Sequence, residues 1–223
     1  MWWTLLLAFA CGGGSTSPSE PVVAPVAPAP VAVAPPSAPP SAAPTRSITA
    51  LPRPDTVPLA PEGLTNGDWA PLLDLPNLTT GQPWSLADVV GPTAKGPTKA
   101  VIVSFSASWC GPCRAALPHF KQLLDEHGDA LQIIIVTTDQ GEAGRASELR
   151  YVQAAGLKDV PVLVPTDVDV MAWLGQRRNI PHFFILNRAG EVLVQDHGYG
   201  EKVRAVLPKQ LNFAMSHPDY TPR

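Results

Sequence analysis

The chain has 223 residues, 16 Lys and Arg against 19 Asp and Glu, and a net charge of −3. The charges are mixed in sign and no basic face is evident, which argues against nucleic acid as a partner. Fourteen of the 27 prolines fall between Pro18 and Pro61, in a stretch with no aromatic residue and only Glu20, Arg46, Arg53 and Asp55 as charges. Such a stretch is a poor core former, and the remaining ~160 residues suit a single domain of ordinary size.

In chain order, residues 1–10 form an apolar segment too short to span a bilayer. Cys11 and a Gly/Ser run follow, and residues 11–61 read as a disordered, extended tether rich in Pro and Ala. The folded domain is expected over 62–223. Leu72–Leu75 and Trp84–Leu86 read as short strands of an N-terminal β-hairpin around Thr80-Gly81. Ala100–Phe105 is a short apolar run rich in β-branched residues, and Pro112–His127 has helical spacing up to a capping Gly128. Leu131–Val136 is a second near-continuous apolar strand, as in a sheet covered on both faces. A helix over Glu142–Ala155, a strand at Val162–Val164 and a short helix at Val168–Leu174 come next. His182–Leu186 and Glu191–Gln195 pair around Asn187-Arg188-Ala189-Gly190, and Val203–Met215 forms a last helix that Pro208 should kink or interrupt. Alternating strands and helices followed by an antiparallel pair predict an α/β domain, a mixed β-sheet flanked by helices.

The chemistry concentrates in Trp109-Cys110-Gly111-Pro112-Cys113, where the Ala100–Phe105 strand runs into a helix. A Cys-x-x-Cys pair at a helix start can make and break a disulfide. Unsatisfied N–H groups and the positive end of the helix dipole favour a thiolate at Cys110, and Cys113, one turn on, can close the ring. Pro112 fits the first turn, where its missing N–H is not needed. Two other uses of the pair are a half zinc site and an inert structural disulfide. Zinc would need four ligands, and neither a second Cys-x-x-Cys nor paired spacing among His119, His127, His182, His197 and His217 supplies them; no metal site is expected. Trp109 either shapes a docking surface over the pair or belongs to the core.

The pentapeptide resembles the active site of the thioredoxin superfamily. Pro118, five residues past Cys113, and Ile180-Pro181 ahead of Phe183-Phe184-Ile185-Leu186 match the family's helix proline and its cis-proline. The opening at Ala70–Leu75 and Gly81–Leu86 resembles the extracytoplasmic TlpA-, ResA- and CcmG-like branch. The resemblance implies a thioredoxin fold and a protein-disulfide reductase with no cofactor beyond the Cys110–Cys113 dithiol. Cys110 would attack and Cys113 resolve, with Trp109, Gly111, Pro112, Ile180, cis-Pro181 and His182 around them. The implied partners are a disulfide-bearing protein substrate and a membrane electron donor. Small residues before Cys11 and the Gly/Ser run after it resemble a bacterial lipoprotein signal, which implies a lipid anchor on Cys11 and a place in the cell envelope, facing the periplasm or the outside.

Three positions depart from the family. His182 stands where Thr or Ser is usual. Ser104 and Ala116 stand where related proteins carry a carboxylate that relays the resolving thiol's proton. Asp139 or Glu142 would substitute if the fold brought either near. The missing acids favour a non-catalytic redox-sensing or protein-binding module as the alternative, whereas the intact pentapeptide favours an enzyme. A peroxidase would want a Thr and a single peroxidatic Cys in another pattern, and that pattern is not found.

Overall fold

The computed structural model describes residues 50–57 and 60–219. The signal-like segment, Cys11 and the tether up to residue 49 lie outside the described residues.

The centre is a five-stranded mixed sheet. β3 (Ala100–Ser106) runs parallel to β4 (Leu131–Thr137), which runs parallel to β5 (Val162–Leu163). On the other side of β3, β6 (His182–Asn187) is antiparallel to it, and β7 (Val192–His197) is antiparallel to β6, giving the order β5-β4-β3-β6-β7. A separate two-stranded antiparallel ribbon joins β1 (Asp74–Pro76) to β2 (Pro83–Ser85). The helices are α1 (Gly111–His127), α2 (Gly141–Ala154), α3 (Asp167–Leu174) and α4 (Glu201–Ser216).

All seven residues of β3 are buried, because the central strand is covered on both faces. Strand alternation sends Val101, Val103 and Phe105 into one apolar layer, with Trp173 of α3 and Phe184. Phe105, Phe184 and Trp173 meet there with ring centroids 5.1–6.1 Å apart. Ala100 and Ile102 enter the opposite layer with Ala116, Leu117, Phe120 and Leu123 of α1, Val152 of α2, and Val203, Leu207, Leu211 and Ala214 of α4. Ser104 and Ser106 follow Ile102 at the same period and share its face.

Pro208 does not interrupt α4, which continues as one helix through it; the fully buried Leu207 and Leu211 anchor both sides of the proline and offset its missing hydrogen bond. One boundary is corrected: the packed body begins before residue 62. Leu51 is buried in the α3-side core, and Pro52 O accepts a hydrogen bond from Leu72 N at 2.8 Å. A Cβ on Gly190, a residue at φ 94°, would strike the Leu51 side chain. Gly175, which ends α3 at φ 61°, admits the Ala60 and Pro61 carbonyls so closely that a Cβ would overlap them. Composition marks this stretch as tether, but a Pro-rich segment packs well where an apolar side chain such as Leu51 finds a groove.

α3 starts one residue earlier than its apolar pattern suggests. Thr166 caps it and Asp169 returns the bond, a reciprocal box that fixes the start at Asp167.

Candidate active site

β3 ends at Ser106, and four residues later the chain enters α1. Cys110 is the N-cap residue of α1, and its Sγ accepts a hydrogen bond from the Cys113 backbone N at 3.2 Å. Gly111 and Pro112 form the exposed opening of the helix. Cys110 and Cys113 are joined as a disulfide with Cα atoms 5.3 Å apart. Both are buried, and they cluster with Ala107 and the partly buried Ile180. Ile180 leads into Pro181 through a cis peptide bond. The structure therefore brings together Cys110, Cys113 and Ile180, although Ile180 lies 67 residues beyond Cys113 in the sequence. Trp109 is 71 % exposed, so it is a surface residue beside the disulfide and not a core tryptophan.

The turn that carries the cysteines is clamped from below. Thr138, just after β4, donates its N–H and hydroxyl to Ser106 O at 2.7 and 3.1 Å. Asp139 accepts from Ser108 N at 2.7 Å and from Ser108 Oγ at 3.0 Å, using both carboxylate oxygens. Arg114 donates to Ser108 O at 3.1 Å, and its guanidinium lies 4.9 Å over the Tyr151 ring of α2. Asp139 is thus near the dithiol turn, where it fixes the loop. Glu142 is exposed in the first turn of α2.

The sequence reading missed Glu148. It is 1 % exposed, and Ser106 Oγ donates to its carboxylate at 2.5 Å. Burial pushes its carboxyl above the usual range; the Ser106 bond opposes this, Asp139 adds to it and the Arg114 charge opposes it. Those partners place Glu148 beneath the start of α1. Cys113 shares a helical face with Ala116, Leu117 and Phe120, which lies over the side of β3 that carries Ser104 and Ser106. The face of β3 beneath α1 therefore carries the Ser104 and Ser106 hydroxyls, and Ser106 brings the buried Glu148 carboxyl to its end. The available signal was periodic: Glu148 lies four residues before the buried Val152, inside the stripe α2 turns inward.

His182 opens β6 opposite Phe105 and is 4 % exposed. It stacks on Phe184 with centroids 4.9 Å apart, and its Nε2 shares a 2.9 Å hydrogen bond with Gln195 Oε1. Burial lowers its pKa, so the ring is held neutral. It is a packed strand residue more than a solvent-facing one. Among the described residues, no group of three or more His, Cys, Asp or Glu is arranged to hold a metal ion, and no helix is long and apolar enough to cross a membrane.

A disulfide at the start of a helix, fed by the central strand and flanked by a cis-proline segment, defines a thioredoxin-like protein of the thiol–disulfide oxidoreductase class. Residues 66–195 match the model of the AhpC/TSA family, and the chain belongs to that family. The thioredoxin-like protein YneN of Bacillus subtilis is 28 % identical over 155 residues, covering 67 % of this chain and 81 % of that protein. The thioredoxin of Gallus gallus is 42 % identical over 55 residues, 25 % of this chain and 52 % of that one. Among solved structures, a Chlorobium tepidum protein assigned as thiol:disulfide interchange protein DsbE is similar at 26 % identity with a TM-score of 0.56, covering 69 % of this chain and 99 % of its own. The fold is the thioredoxin fold.

Proposed function

We propose that this protein reduces disulfide bonds in proteins outside the cytoplasm, through the Cys110–Cys113 dithiol. The observation that carries the reading is the pair itself: a disulfide whose first sulfur caps α1 and accepts the Cys113 N–H. In the reduced protein the same N–H and the helix dipole favour the Cys110 thiolate. That thiolate attacks one sulfur of a substrate disulfide and the other sulfur leaves as a thiolate. Cys113 then loses its proton and attacks Cys110 Sγ. The Cys110–Cys113 bond forms, the bond to the substrate breaks, and the substrate departs with both its sulfurs reduced. Glu148 is the group we assign to receive the Cys113 proton, acting through the layer it shares with Ser106. Burial raises its carboxyl pKa, which makes the ionised form a stronger base.

Each turnover leaves the protein oxidised, so a two-electron donor must restore the dithiol. A membrane dithiol carrier fits, with the chain held near it by a lipid on Cys11 and the Pro-rich tether. Similarity to a protein assigned as thiol:disulfide interchange protein DsbE supports the exchange chemistry. Reduction of insulin disulfides with dithiothreitol as donor tests the activity. Turbidity should appear sooner with the wild-type protein than with dithiothreitol alone, and Cys110→Ser should not exceed that background rate. Equal rates with and without the protein would refute an enzyme role and leave a binding or sensing module.

A further inference from the structure

The turn between β3 and α1 is gripped through one residue. Ser108, two residues before Cys110, has all three of its polar groups bonded: its N–H donates to Asp139 Oδ2 at 2.7 Å, its Oγ donates to Asp139 Oδ1 at 3.0 Å, and its O accepts from Arg114 Nη1 at 3.1 Å. Asp139 is 4 % exposed and is itself fixed. Its N–H donates to Thr137 Oγ1 at 3.2 Å, that hydroxyl donates to Asp139 Oδ2 at 3.3 Å, and Asp139 O accepts from Arg145 Nε at 3.4 Å. Gly144, inside α2, lets the helix come close: a Cβ there would stand 3.1 Å from Asp139 Cβ and Oδ1. Glycine within a helix costs stability relative to alanine, so this one answers to the fit of α2 against the carboxylate.

We propose that Asp139 is a positioning residue for the exchange reaction: through Ser108 it keeps Cys110 Sγ at the N-cap of α1, and so sets how readily that sulfur ionises. The inference rests on the exchange reading above. In the oxidised protein the bond to Cys113 restrains Cys110. Once a donor dithiol has reduced that bond, itself becoming a disulfide, that restraint is gone. What holds Cys110 from the β3 side is then the turn, through Cys110 N to Ala107 O at 2.9 Å and the Ser108 clamp. A thiolate gains from the Cys113 N–H and from the helix dipole only while its sulfur stays at the helix start, because both effects fade within the first turn. A carboxylate suits the task and an amide does not. Ser108 brings one donor to each oxygen, whereas an amide has a single oxygen and turns N–H groups towards the second donor. As a charge alone Asp139 works the other way, since a nearby negative group disfavours a thiolate. The two roles therefore give opposite signs when the charge is removed.

The test follows alkylation of Cys110 by iodoacetamide against pH in the reduced full-length protein, with the modified residue mapped by mass spectrometry. The reagent is uncharged and the thiolate is the nucleophile, so the inflection of the rate reports ionisation of Cys110. The charged groups that meet the turn are Asp139, Arg114 on Ser108 O, Arg145 on Asp139 O and, through Ser106, Glu148; Asp139→Asn alters only the first. In Asp139→Asn the inflection should move to higher pH, with about tenfold less thiolate below it, the order expected when a charge-assisted hydrogen bond to the sulfur is loosened. A merely structural role would lower the melting temperature and leave the inflection in place. Gly144→Ala keeps both the charge and Ser108 while pressing on the carboxylate from α2, and it should move the inflection in the same direction by a smaller amount. An inflection that stays in place or moves to lower pH in Asp139→Asn overturns the inference. Should that variant fail to fold, Gly144→Ala decides: a move to higher pH supports the inference, and none overturns it. Alkylation needs no disulfide substrate. If the wild-type protein fails to accelerate insulin reduction, the exchange reading falls, while the inflection still decides whether Asp139 governs Cys110.

Discussion

Glu148→Gln separates the chemistry proposed for this site from its architecture. Glutamine keeps the volume and the acceptor for Ser106 Oγ, so the layer beneath α1 stays filled. It removes a carboxyl that is 1 % exposed and bonded to Ser106 at the end of β3, while Cys113 is itself 3 % exposed. Deprotonation of a thiol shielded from water would then depend on rare solvent access. A well-positioned general base contributes about 10²–10⁴-fold. Because Glu148 acts through the Ser106 layer, the lower end applies, about 10²-fold or ~2.7 kcal/mol of barrier. Stopped-flow reaction of the reduced protein with 5,5′-dithiobis(2-nitrobenzoate) gives two phases. The first depends on reagent concentration and reports attack by Cys110; the second does not, and reports resolution by Cys113. The variant should slow only the second. The difference should be largest between the Glu148 pKa, raised by burial, and the thiol's own pKa, and it should close at high pH, where Cys113 ionises unaided. Stability carries an independent sign. A carboxyl with a raised native pKa stays protonated in the fold while the unfolded chain ionises, so its contribution is intact at low pH and is lost as pH rises through the native pKa. The wild-type Tm should therefore fall relative to Glu148→Gln over that window. Second-phase rates within twofold of wild type across pH 6–9, or equal slowing of both phases, would refute the relay.

Cys113→Ala should accumulate a mixed disulfide through Cys110 with protein disulfides, seen as a mass adduct on non-reducing analysis; no adduct with any disulfide substrate would contradict the order of attack. A chain beginning at Glu62 removes the buried Leu51, worth about 2 kcal/mol. It should melt ~4–8 °C below a chain beginning at Ala50, a difference calorimetry resolves. Ala116→Glu, which returns an acid to the position where related reductases carry one, should here destabilise the fold: Ala116 is 1 % exposed among Leu117, Phe120 and the sheet, so the new carboxyl would be buried without a designed partner. A drop in the denaturation midpoint checks this, and unchanged stability with faster resolution would contradict it.

The parts of the site that were legible in the sequence are those written on neighbouring residues. An apolar strand, a Cys-x-x-Cys and a helical repeat specify one strand-to-helix turn, and Cys110 at the N-cap follows from them. The mixed sheet was legible as a class, because β3, β4 and β6 are continuous apolar runs. The packing of Leu51, and of Ala60 and Pro61, was not: composition describes what a segment does alone, whereas Leu51 meets Gly190 and the Ala60 and Pro61 carbonyls meet the end of α3. Glu148 was hidden for a related reason. Forty-two residues separate it from Ser106, and only the rotation of α2 decides whether that Glu faces water or the sheet. Ser104 and Ala116 stand where related proteins carry an acid, which by itself favours a non-catalytic module. The proposed relay needs a carboxyl near the start of α1, and three elements border that region. β3 and α1 lack the acid at the expected positions, but α2 supplies one, bonded to the hydroxyl at the end of β3. On the proposed relay, the absence that favours a non-catalytic module is an absence from two positions, with Glu148 as the acid in their place.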